Sequence, residues 1–373
     1  MNFVITMMAF VFGGILDKVA IAMNISVADS GLLNTMYAYG AAFGVPITII
    51  LFRKIERIRM LKIMLLMTIL TTFALVFAQN FIQLLIVRLL MGIFSNSYGV
   101  LAIATIAALS SKERQGRSMA FLIMGSSFAL VIGIPLTRAL SSVLDWRGIF
   151  WILNGLMIFS FVYFKFNLYG ETDASGNLNL RNEFEFFKDK KTLLVILYTL
   201  TMFVGYGAFF TYITPYLIFL FPSIEPMMSI ILVLLGVASF LGNWIGGQVS
   251  DQLGYEKSLM LGAGIYMVSM LFILLFQPFK WLTVIVALIW IMSSWFIGLQ
   301  LNTGIAQVTE NKSSFMISVN SSSIQLGMAL GASLAAVVIT QSDIQNIGFI
   351  PLITGLAIIV IQMISLKKYP RKD

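Results

Sequence analysis

Residues 228–276 read MSIILVLLGVASFLGNWIGGQVSDQLGYEKSLMLGAGIYMVSMLFILLF, two long apolar runs joined by a short polar turn. A membrane-spanning helix needs about 20 mostly apolar residues, and each run is about that long. A lipid bilayer offers no water to bond the backbone, so such runs form helices whose own hydrogen bonds satisfy it. The stretch therefore predicts a hairpin of two transmembrane helices.

The same pattern continues along the whole chain. The composition agrees, because only 11% of residues are charged and 59% are hydrophobic, whereas soluble proteins carry about 25% charged residues. The sequence thus predicts an all-α membrane protein with twelve transmembrane helices. The expected spans are 3–22, 31–52, 61–79, 81–109, 117–139, 147–166, 193–220, 228–249, 258–276, 281–304, 315–340 and 347–366.

The distribution of basic residues predicts the orientation. If both termini are cytoplasmic, 19 of the 24 Lys and Arg residues fall on the cytoplasmic side, and Arg88 lies within a span. The cytoplasmic loops of membrane proteins carry an excess of Lys and Arg. We therefore expect a multi-pass protein of the cell (plasma or inner) membrane with both ends inside. The chain opens directly into an apolar run, so the first helix is expected to be retained rather than cleaved.

A long polar segment, 167–192, divides the chain into two halves, 1–166 and 193–373. We expect a cytoplasmic linker there, with a short helix along the membrane surface. The halves also resemble each other, since AALSSKERQGRSMAFLIMGSS (107–127) is echoed by AQVTENKSSFMISVNSS (306–322). Two parallel six-helix repeats, with a binding cavity near the membrane midplane, are typical of transporters.

Several functions are excluded by what the sequence lacks. It has no Cys and no His, which removes thiol nucleophiles, disulfides, histidine acid–base chemistry and the usual zinc or haem sites. No G-x-x-x-x-G-K-[ST] loop is present. We expect no enzyme activity, no metal and no cofactor. The net charge of +8 comes from loop residues that set orientation, so no nucleic-acid partner is expected.

One local motif suggests a conformational role. GQVSDQLGYEK (247–257) fits the pattern G-x-x-x-D-x-x-G-x-x-[RK]. Gly247 would allow close helix approach, and Gly254 a tight reversal between helices. Asp251 would accept charge-assisted hydrogen bonds that form in one conformation and break in another. We assign Gly247, Asp251, Gly254 and Lys257 to gating, against the alternative of a merely solvated loop.

With this motif the chain resembles the major facilitator superfamily over essentially its whole length. It is most similar to the twelve-helix drug:proton antiporter branch, among arabinose-efflux-like and purine-efflux-like permeases. The matching segments are SGLL (30–33), Arg88 with Gly92, GIPL (133–136), WRGIF (146–150), TYITP (211–215), Asn320-Ser321 and QLG (325–327). The resemblance implies two pseudo-symmetric six-helix bundles, and we expect a monomer that binds a small-molecule substrate, protons and the lipid bilayer.

Two departures from the family pattern concern the mechanism. In the first half the positions that match Gly247, Asp251 and Gly254 are Ile49, Arg53 and Glu56, so a symmetric pair of gating loops is not expected. Related efflux permeases often carry an acidic residue early in helix 1, where this chain has the apolar stretch MMAF (7–10). The site of proton coupling is therefore not given by the family pattern.

Arg88 and Asp17 are the candidates for proton coupling. An arginine near the bilayer centre costs about 3 to more than 10 kcal/mol, so it should face a wet cavity or a partner. By resemblance, Arg88 lies where the family's motif-B arginine couples proton and substrate movement. The alternatives are that Arg88 reaches the outer interface and that Asp17 is an interfacial charge at a helix end.

Aromatic and amide side chains on helices that line the cavity in the family are candidate substrate contacts. Most aromatic residues of this kind form interfacial belts, and amides also join helices to each other, so these alternatives stay open. The candidates are Tyr37, Asn96, Tyr98, Tyr206, Tyr212, Trp244, Trp295, Gln300, Asn320 and Gln325.

Together these features predict a secondary active transporter. It would export a small organic solute, such as a drug, a sugar or a nucleobase-like compound, by alternating access and proton-coupled antiport. An uptake system or facilitator of the same fold is one alternative. A membrane receptor or scaffold that does not transport is another.

Overall fold

A computed structural model describes residues 1–52, 55–109, 125–126, 128–167, 186–309 and 314–368. It contains two compact units, Met1–Leu180 and Arg181–Asp373. Most of the predicted linker, at 168–185, lies outside the described residues, as do Arg53, Lys54 and residues 110–124, which include the start of the predicted span 117–139.

The described residues of the first unit form six α-helices. A π-helical turn, Ala129–Gly133, leads into the fifth of them. They are α1 (Asn2–Met23), α2 (Val27–Leu51), α3 (Arg57–Val76), α4 (Phe81–Leu109), α5 (Ile134–Leu140) and α6 (Trp146–Asn167). The start of α2 is defined by Ser26, whose Oγ accepts the backbone N–H of Asp29 at 3.0 Å and so satisfies one of the free donors of the first turn.

The second unit repeats this arrangement. Its helices are α7 (Lys190–Thr211), α8 (Met228–Leu253), α9 (Tyr255–Leu275), α10 (Lys280–Val308), α11 (Ser314–Gln341) and α12 (Phe349–Lys368). After a break at Tyr212, α7 is continued by a short helix, Ile213–Leu220. A 3₁₀ turn, Pro222–Met227, precedes α8, and a second one, Ile344–Gly348, precedes α12.

The helices are suited to a membrane. Among the described residues, ten are long and apolar enough to cross one, and 129–140 forms a shorter apolar helix. The 25-residue α2 is also long enough to cross a membrane but is not among the ten. Large apolar side chains such as Phe159 (73% exposed) and Ile82 (68% exposed) cover the outside. The prediction of an all-α membrane protein is confirmed.

Four helix pairs recur in the two units. In the first, α1 contacts α5 and α6, while α4 packs on α2 and α3. In the second, α7 contacts α11 and α12, while α10 packs on α8 and α9. Each pair in one unit has its counterpart six helices later in the other. The sequence repeat therefore corresponds to a repeat of packing.

Glycines set the closest helix contacts. A Cβ atom added to Gly92 would overlap the carbonyl oxygen of Tyr37, and one added to Gly40 would overlap the carbonyl oxygen of Leu89. In the second unit, Gly331 of α11 meets the backbone of α7 in the same way. Lipid provides no hydrophobic drive between helices, so small residues that let backbones approach are the means of packing.

Gly254 forms the turn between α8 and α9, as predicted from its place in the motif. Its φ of 77° and ψ of 159° make it the only glycine with positive φ among the described residues. This combination is accessible essentially only to glycine. The residue therefore allows α9 to begin at Tyr255 directly after α8 ends at Leu253.

We predict that Gly92→Ala destabilises the protein by about 1–3 kcal/mol. The added methyl group would overlap the backbone carbonyl oxygen of Tyr37, and a backbone group in a packed helix cannot rotate away as a side chain can. The measurement is the melting temperature of the detergent-purified protein. The control is Gly99→Ala in the same helix, since an added Cβ there has no neighbour within 4 Å. Equal melting temperatures for the two variants would contradict the close packing of α2 on α4.

Candidate functional site

Arg88 lies in α4 with its side chain fully buried. Its Nε donates to the carbonyl oxygen of Leu33 and its Nη1 to that of Met8, both at 3.1 Å. Longer contacts join Nη2 to the carbonyl oxygen of Ala9 at 3.4 Å and to Oδ1 of Asn34 at 3.5 Å. The guanidinium therefore connects α4 to α1 and α2, and it does not extend to the outer interface.

The charge of Arg88 is balanced only by neutral groups. Its guanidinium carbon lies 4.8 Å from the ring centre of Phe12 and 4.4 Å from that of Tyr37, where the ring faces attract a cation. A guanidinium stays protonated in proteins. No carboxylate is within ion-pair distance of it in the described part of the chain. The backbone of the apolar stretch 7–10 thus supplies acceptors where related permeases often carry an acid.

Beside Arg88, a small polar network links α2 and α4. The hydroxyl groups of Tyr37 and Ser95 are 2.7 Å apart, and Nδ2 of Asn96 donates to the Tyr37 hydroxyl at 3.0 Å. Tyr37 and Ser95 are buried, whereas Asn96 and Asn34 are half-buried and reach the surface of the unit. The network brings the predicted residues Tyr37 and Asn96 together with Arg88. It also adds Asn34 and Ser95, which the sequence analysis did not select.

Asp17 of α1 is paired with Arg138 of α5. Nη1 of Arg138 donates to both carboxylate oxygens of Asp17, at 2.6 and 2.8 Å, and contacts the carbonyl oxygen of Gly14 at 3.4 Å. The Arg138 side chain is 4% exposed and that of Asp17 17% exposed. The pair is thus sheltered rather than solvated, which makes the ionic state of Asp17 consequential for how α1 and α5 pack.

Arg138 was not predicted as the partner of Asp17. The signal that could have found it is its position inside the fifth apolar run, on the same side of the membrane as Asp17.

The backbone is irregular at this ion pair. Ile15 interrupts α1 with a non-helical φ of −132° and ψ of 17°. On the facing element, the π turn Ala129–Gly133 leads into α5, and a Cβ on Gly14 would lie 3.0 Å from Ile134. Ile15 thus lies two residues before Asp17, and the π turn ends five residues before Arg138. Single π turns inside helices frequently mark functional positions.

In the second unit, Asn320 joins three helices. Its Oδ1 accepts from Oγ1 of Thr199 in α7 at 2.7 Å, and its Nδ2 donates to Oδ1 of Asn302 in α10 at 3.0 Å. Nearby, Nε2 of Gln300 donates to the carbonyl oxygen of Gly246 at 2.9 Å and so joins α10 to α8. Asn320 and Gln300 are both fully buried. The interhelical bonding that was the alternative for these amides is thus present.

Tyr206 lies in a buried aromatic cluster of the second unit. Its ring stacks on Trp290 with centroids 5.9 Å apart and on Phe210 at 4.9 Å, and it meets the edge of Trp295 at 6.3 Å. The Tyr266 ring also packs on Trp290, with centroids 5.3 Å apart. Trp290 and Tyr266 were not predicted as site residues. Trp290 stacks directly on Tyr206, and Tyr266 in turn packs on Trp290.

The remaining predicted contacts are spread over several environments. Tyr98 is buried in α4, and Tyr212 is fully buried at the break after α7. Trp244 is 56% exposed on α8. Gln325 is half-buried on α11.

The gating motif is at the end of α8. Asp251 and Lys257 are exposed, and Asp251 has no hydrogen bond or ion pair with any described residue. A Cβ on Gly247 would meet only Leu299 of the same unit, at the ordinary distance of 3.8 Å. The close contacts with α10 are made by Gly242 and Gly246 instead. No group of acidic side chains able to hold a metal ion occurs among the described residues.

Comparison with known proteins extends these observations. The family model described as "Major Facilitator Superfamily" matches residues 1–311 and 225–373. "Inner membrane transport protein YdhP" of Escherichia coli K12 is 26% identical over 96% of this chain and 92% of its own. "Probable sugar efflux transporter" of Helicobacter pylori 26695 is 23% identical over 98% and 95%. The "Uncharacterized MFS-type transporter YbcL" of Bacillus subtilis is 23% identical over 100% and 95%.

A solved structure shares the fold. A crystal structure of a mutant of the nucleoside transporter NupG superposes with a TM-score of 0.72 and covers 97% of this chain and 98% of its own, at 15% sequence identity. At this identity the likeness concerns the fold alone.

We predict that Asn320→Ala lowers the stability of the purified protein by about 0.5–1.5 kcal/mol, because two interhelical hydrogen bonds are lost. The matched control is Ser323→Ala in the same helix, where the hydroxyl bonds only to the carbonyl oxygen of Val319 within α11. A double-mutant cycle with Thr199→Val tests the pair directly. If the two substitutions are additive, Thr199 and Asn320 do not interact.

Proposed function

This chain belongs to the Major Facilitator Superfamily, and on that premise we propose that it exports a small polar organic solute across the cell's inner membrane in exchange for protons. It is a multi-pass membrane transporter of a small-molecule substrate and not an enzyme. The direction, the solute and the coupling are the proposed part, together with cytoplasmic location of both termini. Its basic residues are distributed as that orientation requires.

Export is supported by the relatives. Proteins named sugar efflux transporters resemble the chain over at least 95% of its length. Their identity of 23–24% supports a solute of the same general kind rather than a particular sugar. The polar residues of the first unit, Asn34, Tyr37 and Asn96, suit hydroxyl-bearing solutes, because amides and hydroxyl groups both donate and accept hydrogen bonds.

The observation that carries proton coupling is the ion pair of Asp17 and Arg138. Among the described residues, Asp17 is the one mostly buried acidic side chain that lies inside a membrane helix away from its first and last turns. Protonation would neutralise it and leave the charge of Arg138 to be satisfied by other groups. The pair joins α1 to α5 beside the irregular backbone at Ile15, so the gain or loss of one proton would change how these helices are held together. Proton entry contributes about 2.3 kcal/mol per 100 mV of membrane potential.

Arg88 has a different role in this proposal. Arg88 was predicted to couple protons together with Asp17, but its acceptors in the described residues are backbone carbonyl oxygens and an amide. None of them exchanges a proton near neutral pH. We therefore assign Arg88 to the fixed charge distribution of the first unit, and Asp17 to the proton.

We predict that everted membrane vesicles containing the protein accumulate labelled pentoses or hexoses when their interior is acidic, and that a protonophore abolishes the accumulation. Vesicles without the protein are the control. Accumulation only in right-side-out vesicles would indicate uptake. Equilibration without accumulation would indicate a facilitator, which the neutral surroundings of Arg88 would also permit.

We further predict that Asp17→Asn abolishes proton-driven accumulation but retains exchange of labelled for unlabelled solute, because solute binding persists while the protonatable group is lost. The measurement is a comparison of the two assays in proteoliposomes. The control is Asp145→Asn, the same change at an exposed acid whose ion pair with Arg147 is 3.9 Å long.

A stability effect of this substitution is separable from coupling. Asp17→Asn leaves Arg138 buried without a counter-charge, which costs about 3–5 kcal/mol in buried pairs. The double variant Asp17→Asn/Arg138→Gln removes both charges and should recover the melting temperature without recovering proton-driven transport. Undiminished proton-driven transport in this double variant excludes Asp17 as the coupling residue.

A further inference from the structure

The interior of the first unit carries an uncompensated positive charge. Two charged side chains of this unit, Arg88 and Arg138, are buried among the described residues, and Arg138 is neutralised by Asp17. Arg88 remains, with four neutral acceptors and two aromatic faces around it. In surroundings of low dielectric constant its field extends further than it would in water.

Asn34 lies between Arg88 and the surface of the unit. Its Oδ1 faces Nη2 of Arg88, and the orientation of the amide follows, because its NH₂ group would repel the guanidinium donors. The NH₂ group donates to no described residue, and Asn34 is half-buried. A partner for this donor must supply an acceptor oxygen, as hydroxyl, carbonyl and carboxylate groups do.

The neighbouring groups extend the same surface. The Tyr37 ring lies against the guanidinium, and the Tyr37 hydroxyl is bonded to Asn96, which is also half-buried. A solute that accepts a hydrogen bond from Asn34 would lie roughly 6–7 Å from the guanidinium, at the length of two successive hydrogen bonds. A cationic solute at that distance would be repelled, whereas a neutral or anionic one would not.

We infer that Asn34 is a solute-contact residue and that Arg88 behind it restricts the transporter to oxygen-rich solutes without a positive charge. The inference rests on the proposed transport of a polar solute but not on its direction or its coupling. Arg88 itself does not touch the solute, because it is fully buried. It acts through Asn34 and through its field, so it is a specificity-determining residue.

The test uses matched sets of ligands that differ in charge. One set is glucose, glucuronate and glucosamine, and the other is phenylethanol, phenylacetate and phenylethylamine. Binding is measured as the shift in melting temperature of the detergent-purified protein at mildly acid pH, because ligands of the folded state raise it. We expect the neutral or anionic member of at least one set to bind the protein roughly tenfold or more tightly than its cationic member.

The decisive variant is Asn34→Asp, which is isosteric and places a carboxylate next to Nη2 of Arg88. An ion pair would then neutralise the field, so we expect the preference against the cationic member to fall about tenfold or more. A purely structural role for Asn34 would change all three members alike. The control is Asn80→Asp, the same change at an exposed helix start, where Oδ1 accepts the N–H of Gln83 and aspartate caps equally well.

The outcomes separate this inference from the proposed function. Equal affinity of the cationic and neutral members for the unaltered protein overturns it, as does an unchanged preference in the folded Asn34→Asp variant. A panel in which no member binds also overturns the assignment of an oxygen-rich solute. The binding test uses no proton or solute gradient. Its result therefore does not depend on the direction of transport or on whether transport is coupled to protons.

Discussion

The structure depends on the cost of a charge that is removed from water. Arg88 is fully buried in a helix that crosses the membrane, where an unsatisfied guanidinium would cost several kcal/mol or more. Backbone carbonyl oxygens of α1 and α2 and the rings of Phe12 and Tyr37 offset this cost. The three helices are thereby held at one register. A single arginine thus connects the packing of the first unit to its electrostatic character.

The cost of burying a second arginine, Arg138, is offset by an ion pair instead of by neutral groups. This difference gives the two arginines different functions. Arg138 is neutralised by a carboxylate, which can take up a proton, whereas the partners of Arg88 cannot. A charge paired with Asp17 is suited to a proton-dependent step. A charge held by dipoles is permanent, and its effect is to select among solutes. The non-helical backbone at Ile15 lies two residues before Asp17 in α1.

In the second unit, amides take the place of charges. Asn320 and Gln300 join α7, α8, α10 and α11 through side-chain hydrogen bonds, and glycines allow the backbones to approach. Neither device relies on hydrophobic burial, which gives no drive between helices that are already in lipid. The helix pairs match those of the first unit. The repeated fold is therefore maintained by different polar contacts in its two halves.

The apolar runs alone determined the class of the protein, since a run of about 20 apolar residues has a stable state only as a membrane helix. The turn at Gly254 was also predictable, because a tight turn depends on residues that are neighbours in sequence. Arg138 as the partner of Asp17, Asn34 as the partner of Arg88, and Trp290 behind Tyr206 were decided only by tertiary structure. These partners are separated by 121, 54 and about 84 residues, and no periodicity in the sequence reports which faces of distant helices meet.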